Sequence, residues 1–159
     1  GIGAAKAAGN YSAQFYPQKL AQEKGFQQII WTDDATHTKL EEAGTMNVFF
    51  RINDTLYTSG QIAIHPQTGA LETQDITIET TRVMENLKAI LEAAGMTFDN
   101  VVKCTIFISN MNDFGKINTV YGGYFKDEMA PARETVQVAR LPKDVNVEIS
   151  AIAVKEENK

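Results

Sequence analysis

Residues 75–109 read DITIETTRVMENLKAILEAAGMTFDNVVKCTIFIS, and a change of period inside this stretch decides the fold class. Val83, Leu87, Ile90, Leu91 and Ala94 recur at helical spacing, which predicts a helix from Asp75 to Ala94. Gly95 ends it, because glycine takes the left-handed conformation of a helix C-terminus without steric cost. The period then falls to two. Over Val101 to Ser109, Val102, Cys104, Ile106 and Ile108 share one face; Lys103, Thr105, Phe107 and Ser109 share the other. A helix followed by a strand with one wholly apolar face asks for a layered sheet-and-helix domain.

Working outward, Asn112 can cap a further helix with the stripe Phe114, Ile117, Tyr121, Tyr124 and Phe125. Glu134 to Ala139 and Val145 to Val154 read as strands, joined through Leu141-Pro142-Lys143-Asp144. On the N-terminal side, Asn10 to Lys24 reads as a helix capped by Asn10 and stopped by Gly25, with Pro17 predicting a kink or a late start. Gln27 to Thr32 is a strand followed by an Asp33-Asp34 turn. Met46 to Ile52, the turn pair Asn53-Asp54 and Thr55 to Ile64 make a hairpin, and His65-Pro66-Gln67-Thr68-Gly69 breaks the chain again. Gln27 to Thr32 is expected beside Asn47 to Ile52 in one continuous sheet. The order α, β, β, β, α, β, α, β, β gives an α/β (α+β) fold, a sheet with helices on at least one face, plus an N-terminal helix and strand.

Composition excludes several functions. The 159 residues carry 15 Lys and Arg against 20 Asp and Glu, a net charge of −5. No basic stripe for a nucleic acid is visible, so no nucleic-acid partner is expected. No apolar run is long enough to span a membrane, and Gly1 to Gly9 does not read as a secretory signal. A soluble, cytoplasmic protein is expected. One cysteine, Cys104, rules out a disulfide framework; with only His37 and His65 besides, neither a metal site nor a Ser–His–Asp triad is expected. Cys104 shares its face with Val102, Ile106 and Ile108 and reads as a small buried apolar residue. His37 and His65 read as loop residues, and the Gly115, Gly122 and Gly123 set has the wrong spacing for a phosphate loop.

Thr58-Ser59-Gly60-Gln61-Ile62, Asn86 to Gly95, Val102 to Ile108, Met111-Asn112-Asp113-Phe114, Asn118 and Tyr121 form a recognisable series. Pro131-Ala132-Arg133, Val138-Ala139-Arg140-Leu141-Pro142 and Val147-Glu148-Ile149 complete it. From about residue 58 the chain resembles the RidA (YjgF-type) imine and enamine deaminases. The resemblance implies a mixed β-sheet with two helices packed on one face, homotrimers with a pocket at each subunit interface, and hydrolysis of small 2-imino acids. It implies that Arg133 grips the substrate carboxylate and Glu148 orients the attacking water. Ser59, Gly60 and Asn118 are implied as further substrate-binding positions. An arginine suits such a task because its planar fork makes two parallel charge-assisted bonds to a carboxylate.

Residues 1–58 carry a different set of marks: Gly3-Ala4-Ala5-Lys6, Gly9-Asn10-Tyr11, Lys24-Gly25-Phe26 and Glu41 to Asn47. These resemble a fragment of a branched-chain aminotransferase, a fold-type-IV pyridoxal-phosphate enzyme. There the resemblance implies that Lys6 carries the cofactor, Tyr11 contacts its phenolic oxygen and Glu42 its pyridine nitrogen. The parts of such an enzyme that cradle the phosphate are missing from this chain, so no cofactor is expected. Two resemblances in one chain imply a chimera, engineered or recombined, joined within the hairpin Phe49 to Gly60. Residues 1–58 and 59–159 would be its two parts in one continuous domain. The expected function is RidA-like hydrolysis of 2-imino and enamine acids to 2-oxo acids and ammonia, on a small carboxylate or imino-acid ligand and weakened by the replaced N-terminus. The alternatives are a structural chimera without activity and, behind it, pyridoxal-phosphate binding through Lys6.

Overall fold

The computed structural model describes residues 15–25, 30–32, 35–38, 40–43 and 49–155. The chain divides into two compact units, residues 1–48 and 49–159.

In the first unit, helix α1 (Phe15–Glu23) carries Pro17 in the stretch given to a helix, and Gly25 follows it at φ +84° as expected. Asn10, its expected cap, lies outside the described residues. Strand β1 (Ile30–Thr32) pairs antiparallel with β2 (Leu40–Ala43), and the two form a separate two-stranded sheet. This corrects the expectation that the first strand lies beside residues 47–52. A strand close in sequence wins, because closing a short connection costs little entropy. His37 takes φ 54° in that connection, a left-handed position that lets the chain reverse. Leu40-Glu41-Glu42-Ala43 does not alternate apolar and polar residues, so its pattern does not announce a strand.

The second unit is a five-stranded mixed sheet in the order β3-β4-β7-β5-β6. Its strands are β3 (Phe49–Ile52), β4 (Thr55–Thr58), β5 (Val101–Ile108), β6 (Ala132–Gln137) and β7 (Val147–Val154). All neighbours are antiparallel except β5 and β6. The parallel pair needs a crossover, and helix α3 (Phe114–Gly122) lies within it. Asn53 turns the β3–β4 hairpin at φ 54°. Strand β4 ends earlier than expected. At its end the Thr58 hydroxyl accepts the Ala151 N–H at 2.8 Å in place of a main-chain carbonyl. Gln61 then rejoins β7 as an isolated bridge to Ile149. Ser59 and Gly60 are thereby lifted out of the ladder beside β7.

Helix α2 (Ile76–Ala93) begins where the sequence places it. The Asp75 carboxylate accepts the Thr77 N–H at 2.7 Å, and Gly95 closes the far end at φ 69°. Its buried face of Val83, Met84, Leu87 and Leu91 packs on Cys104, Ile106, Ile108, Val147 and Ile149, with Ile117 and Tyr121 of α3 completing the core. Two expectations need correction. Val102 is exposed and Val101 buried, because a bulge between Val101 and Lys103 shifts the alternation of β5. Asn110, not Asn112, makes the cap before α3: its side chain accepts the Asn112 N–H and opens a 3-10 turn, Met111–Asp113, that runs into the helix.

Ladder partners share a face, so the register sorts the sheet into two. Cys104, Ile106, Arg133 and Thr135 lie on the helix side. Phe50, Tyr57, Ile152, Phe107, Glu148 and Val136 lie on the other. That second face keeps Phe50, Tyr57, Phe107 and Val136 exposed, and Ile52 beside them is 62% exposed. Among the described residues, no helix is long and apolar enough to cross a membrane.

Candidate functional site

Arg133 enters β6 directly opposite Cys104, which turns it toward α3. Its guanidinium carbon lies 5.1 Å from the centre of the Tyr121 ring and 5.6 Å from that of Phe114, both within cation–π range. Its Nη1 donates to the Asn118 Oδ1 at 2.5 Å. Three residues of one helix, one turn apart, thus fix one arginine from two sides. Burial pushes the Tyr121 phenol up from its usual range, so the ring beneath the cation stays neutral. A cavity of about 300 Å³ opens beside this group, lined by Asn118, Tyr121, Phe125, Lys126, Pro131 and Arg133.

A second group lies across the sheet. Glu148 stands opposite Phe107 on β7. A Cβ placed on Gly60 would come within 1.8 Å of the Glu148 Oε1 and 2.6 Å of its Cδ. The carboxylate therefore rests against the Gly60 backbone, in space that only glycine leaves open. Ser59 is the preceding residue, and both its carbonyl and its hydroxyl accept from the Gln61 side-chain amide, at 3.2 and 3.3 Å.

The structure thus brings Arg133 together with Asn118, and Glu148 together with Gly60, but keeps the two pairs apart. Arg133 is in register with Cys104 and Glu148 with Phe107, two strands away. At about 3.3 Å per residue and about 4.8 Å per strand, that separates them by roughly 14 Å, on opposite faces of the sheet. Phe114 and Tyr121, read from the sequence as part of a helix stripe and of the family resemblance but given no role at the site, prove to be the floor under Arg133. The signal for this was available in the stripe itself, since it must face the strand that follows the crossover.

Of the residues implied for a cofactor, Glu42 lies in β2 opposite Trp31, and Lys6 and Tyr11 lie outside the described residues. Among the described residues no group of three His, Cys, Asp or Glu side chains could hold a metal. Cys104 is buried, as expected, and burial raises its thiol pKa.

The sequence model described as endoribonuclease L-PSP matches residues 36–155, and the chain belongs to this family, the one that includes RidA and YjgF. A RutC family protein of Pyrococcus horikoshii is 45% identical over 129 residues, 81% of this chain and 98% of that relative. The 2-iminobutanoate/2-iminopropanoate deaminase of Salmonella typhimurium is 48% identical over 100 residues, 62% of this chain and 77% of that relative. The crystal structure of Escherichia coli TdcF with bound serine superposes with a TM-score of 0.64 at 45% identity, covering 68% of this chain and 86% of that one. The family match begins at residue 36, ahead of the boundary near 58 drawn from the sequence, and takes in β2 and the whole β3–β4 hairpin.

Proposed function

We propose that this protein hydrolyses small 2-imino acids and their enamine tautomers to 2-oxo acids and ammonia, as a homotrimer whose sites lie between copies. The observation that carries the reading is Arg133, held by the Asn118 oxygen and two aromatic faces at the edge of a cavity. A guanidinium fixed from behind keeps further donors for a bidentate carboxylate. The imine carbon next to that carboxylate takes the water oxygen, one water proton passes to nitrogen, and the carbinolamine expels ammonia as the C=O forms. Glu148 orients the water and relays its protons: it takes the first as the water oxygen bonds to carbon and hands it to nitrogen, and the hydroxyl proton of the carbinolamine follows the same route as ammonia leaves. Imines hydrolyse unaided, so holding water and carbon in line is most of what the protein must supply.

Glu148 and Arg133 face away from each other within one copy, so a complete site needs Glu148 and Gly60 from one copy and Arg133 from the next. The exposed apolar face around Phe50, Ile52, Tyr57, Phe107 and Val136 suits burial against a second copy. The chemistry named for the Salmonella relative and the serine held by TdcF both fit a small 2-amino-acid skeleton. The family description points instead to RNA, but a net charge of −5 favours a small carboxylate over a polyphosphate backbone. The buried Cys104 suits a reducing cytoplasm. The aminotransferase-like reading of the N-terminal segment adds no step to this chemistry.

The test is a coupled assay. A dehydratase generates the imino acid, and its loss is timed with and without this protein. Faster loss supports the reading. Loss at the buffer rate overturns it.

A further inference from the structure

Glu79, in the first turn of α2, is wholly buried. Its Oε1 accepts the main-chain N–H of Asn146 at 2.6 Å and that of Val147 at 3.3 Å, and its Oε2 accepts the Asn146 side-chain amide at 2.9 Å. Asn146 is also tied on its other side: its carbonyl accepts the Ser109 N–H at 3.0 Å, and its Oδ1 meets the Ser109 hydroxyl at 3.1 Å. All four polar groups of Asn146 are engaged. Just upstream, Lys143 and Asp144 both sit at positive φ, 56° and 57°, where side-chain-bearing residues are strained. The Arg140 guanidinium grips Asp144 through two bonds, at 2.5 and 3.0 Å. The approach to β7 is thus a strained turn clamped at both ends, and Glu148 is the second residue past the clamp.

A buried carboxylate is costly unless donors meet it, and three N–H groups do so here. Those donors belong to the two residues that precede Glu148. We propose that Glu79 is a positioning residue, acting through Asn146 and Val147 to hold the Glu148 carboxylate against Gly60. This rests on the reading of Glu148 as the water-orienting group. Nothing in the sequence singles Glu79 out, since an acidic residue in a first helical turn ordinarily complements the helix dipole in solvent.

The test compares Glu79→Ala, Glu79→Gln, Glu148→Gln and the double variant Glu79→Ala/Glu148→Gln in the full chain. In the coupled assay, Glu79→Ala is expected to lower kcat about a hundredfold, the scale of a 1 Å misplacement, with KM held within about twofold because Arg133 is untouched. Glu79→Gln keeps a carbonyl oxygen for the main-chain donors and restores most of the rate. The double variant is no slower than Glu148→Gln alone. An unchanged kcat in Glu79→Ala, or defects that multiply in the double variant, overturns the proposal. Should Glu79→Ala not fold, Asn146→Ala, which removes one donor, is expected to lower kcat about tenfold, and an unchanged rate overturns the proposal. If the parent turns over no imine, the functional reading fails separately. The positional claim is then decided by the carboxylate 13C resonance of Glu148, assigned by its loss in Glu148→Gln. It should move in Glu79→Ala and return in Glu79→Gln; a resonance that stays put in Glu79→Ala overturns it.

Discussion

Gly60→Ala separates the site from the fold. The new methyl would lie 1.8 Å from the Glu148 Oε1, and ordinary contact starts at 3.4 Å, so the oxygen must retreat by about 1.6 Å (3.4 − 1.8). Gly60 is not among the glycines at positive φ, so alanine meets no backbone strain there. The atoms in the way belong to the Glu148 side chain, which can rotate. Forcing it off its preferred rotamer costs about 0.5–1.5 kcal/mol. A loss of that size lowers the thermal midpoint by only a few degrees. A 1.6 Å displacement of the carboxylate proposed to orient the water exceeds the ~1 Å that costs about a hundredfold in rate. The expected result is a folded variant with kcat down at least about a hundredfold and carboxylate binding intact. The coupled assay gives the rate, calorimetry the midpoint, and titration with pyruvate the binding. A variant as fast as the parent would refute the role given to the Gly60–Glu148 contact. A variant that unfolds would place the contact in the core rather than the site.

Arg133→Lys keeps the charge but loses the fork and the Asn118 bond, so KM should rise about tenfold or more with assembly unchanged by light scattering. Leu87→Ala empties the centre of the core under the sheet and should cost about 2–5 kcal/mol in denaturant unfolding. The Tyr124 phenol, raised to about 12 by burial and then by its hydrogen bond to Glu85, sits above the ordinary 10.0. Its folded pKa exceeds the unfolded one, so its contribution is complete below pH 10 and lost as pH rises toward 12. Tyr124→Phe should flatten the fall of the denaturant midpoint across that window, and an unchanged slope would remove Tyr124 from it.

What could be read from the sequence was whatever rests on local chemistry. The helical spacing of Val83, Leu87, Ile90, Leu91 and Ala94 and the Gly95 stop define α2 without reference to anything distant. The same holds for the alternation of β5 from Cys104 onward. Val102 was misplaced because a bulge depends on how β5 meets β7, a partner nearly fifty residues away in sequence terms and absent from the local pattern. Leu40–Ala43 went unread for a similar reason: its pairing with β1, not its letters, makes it a strand. At the site, Arg133 and Asn118 were named by resemblance, and their contact follows from α3 lying in the crossover between two parallel strands. That Glu148 faces the other side follows only from counting register along β5. Glu79 was invisible because its partners are main-chain N–H groups, which every sequence has and no sequence marks.

The central claim is that one working site takes Arg133 from one copy and Glu148 from another. Arg133→Ala and Glu148→Gln should each be nearly inactive alone. Refolded together in equal amounts, the two chains should assemble at random, and one site in four would then join an intact Arg133 to an intact Glu148, giving about a quarter of the parent rate. A mixture no faster than either variant alone, in oligomers shown by mass to contain both, would contradict the account.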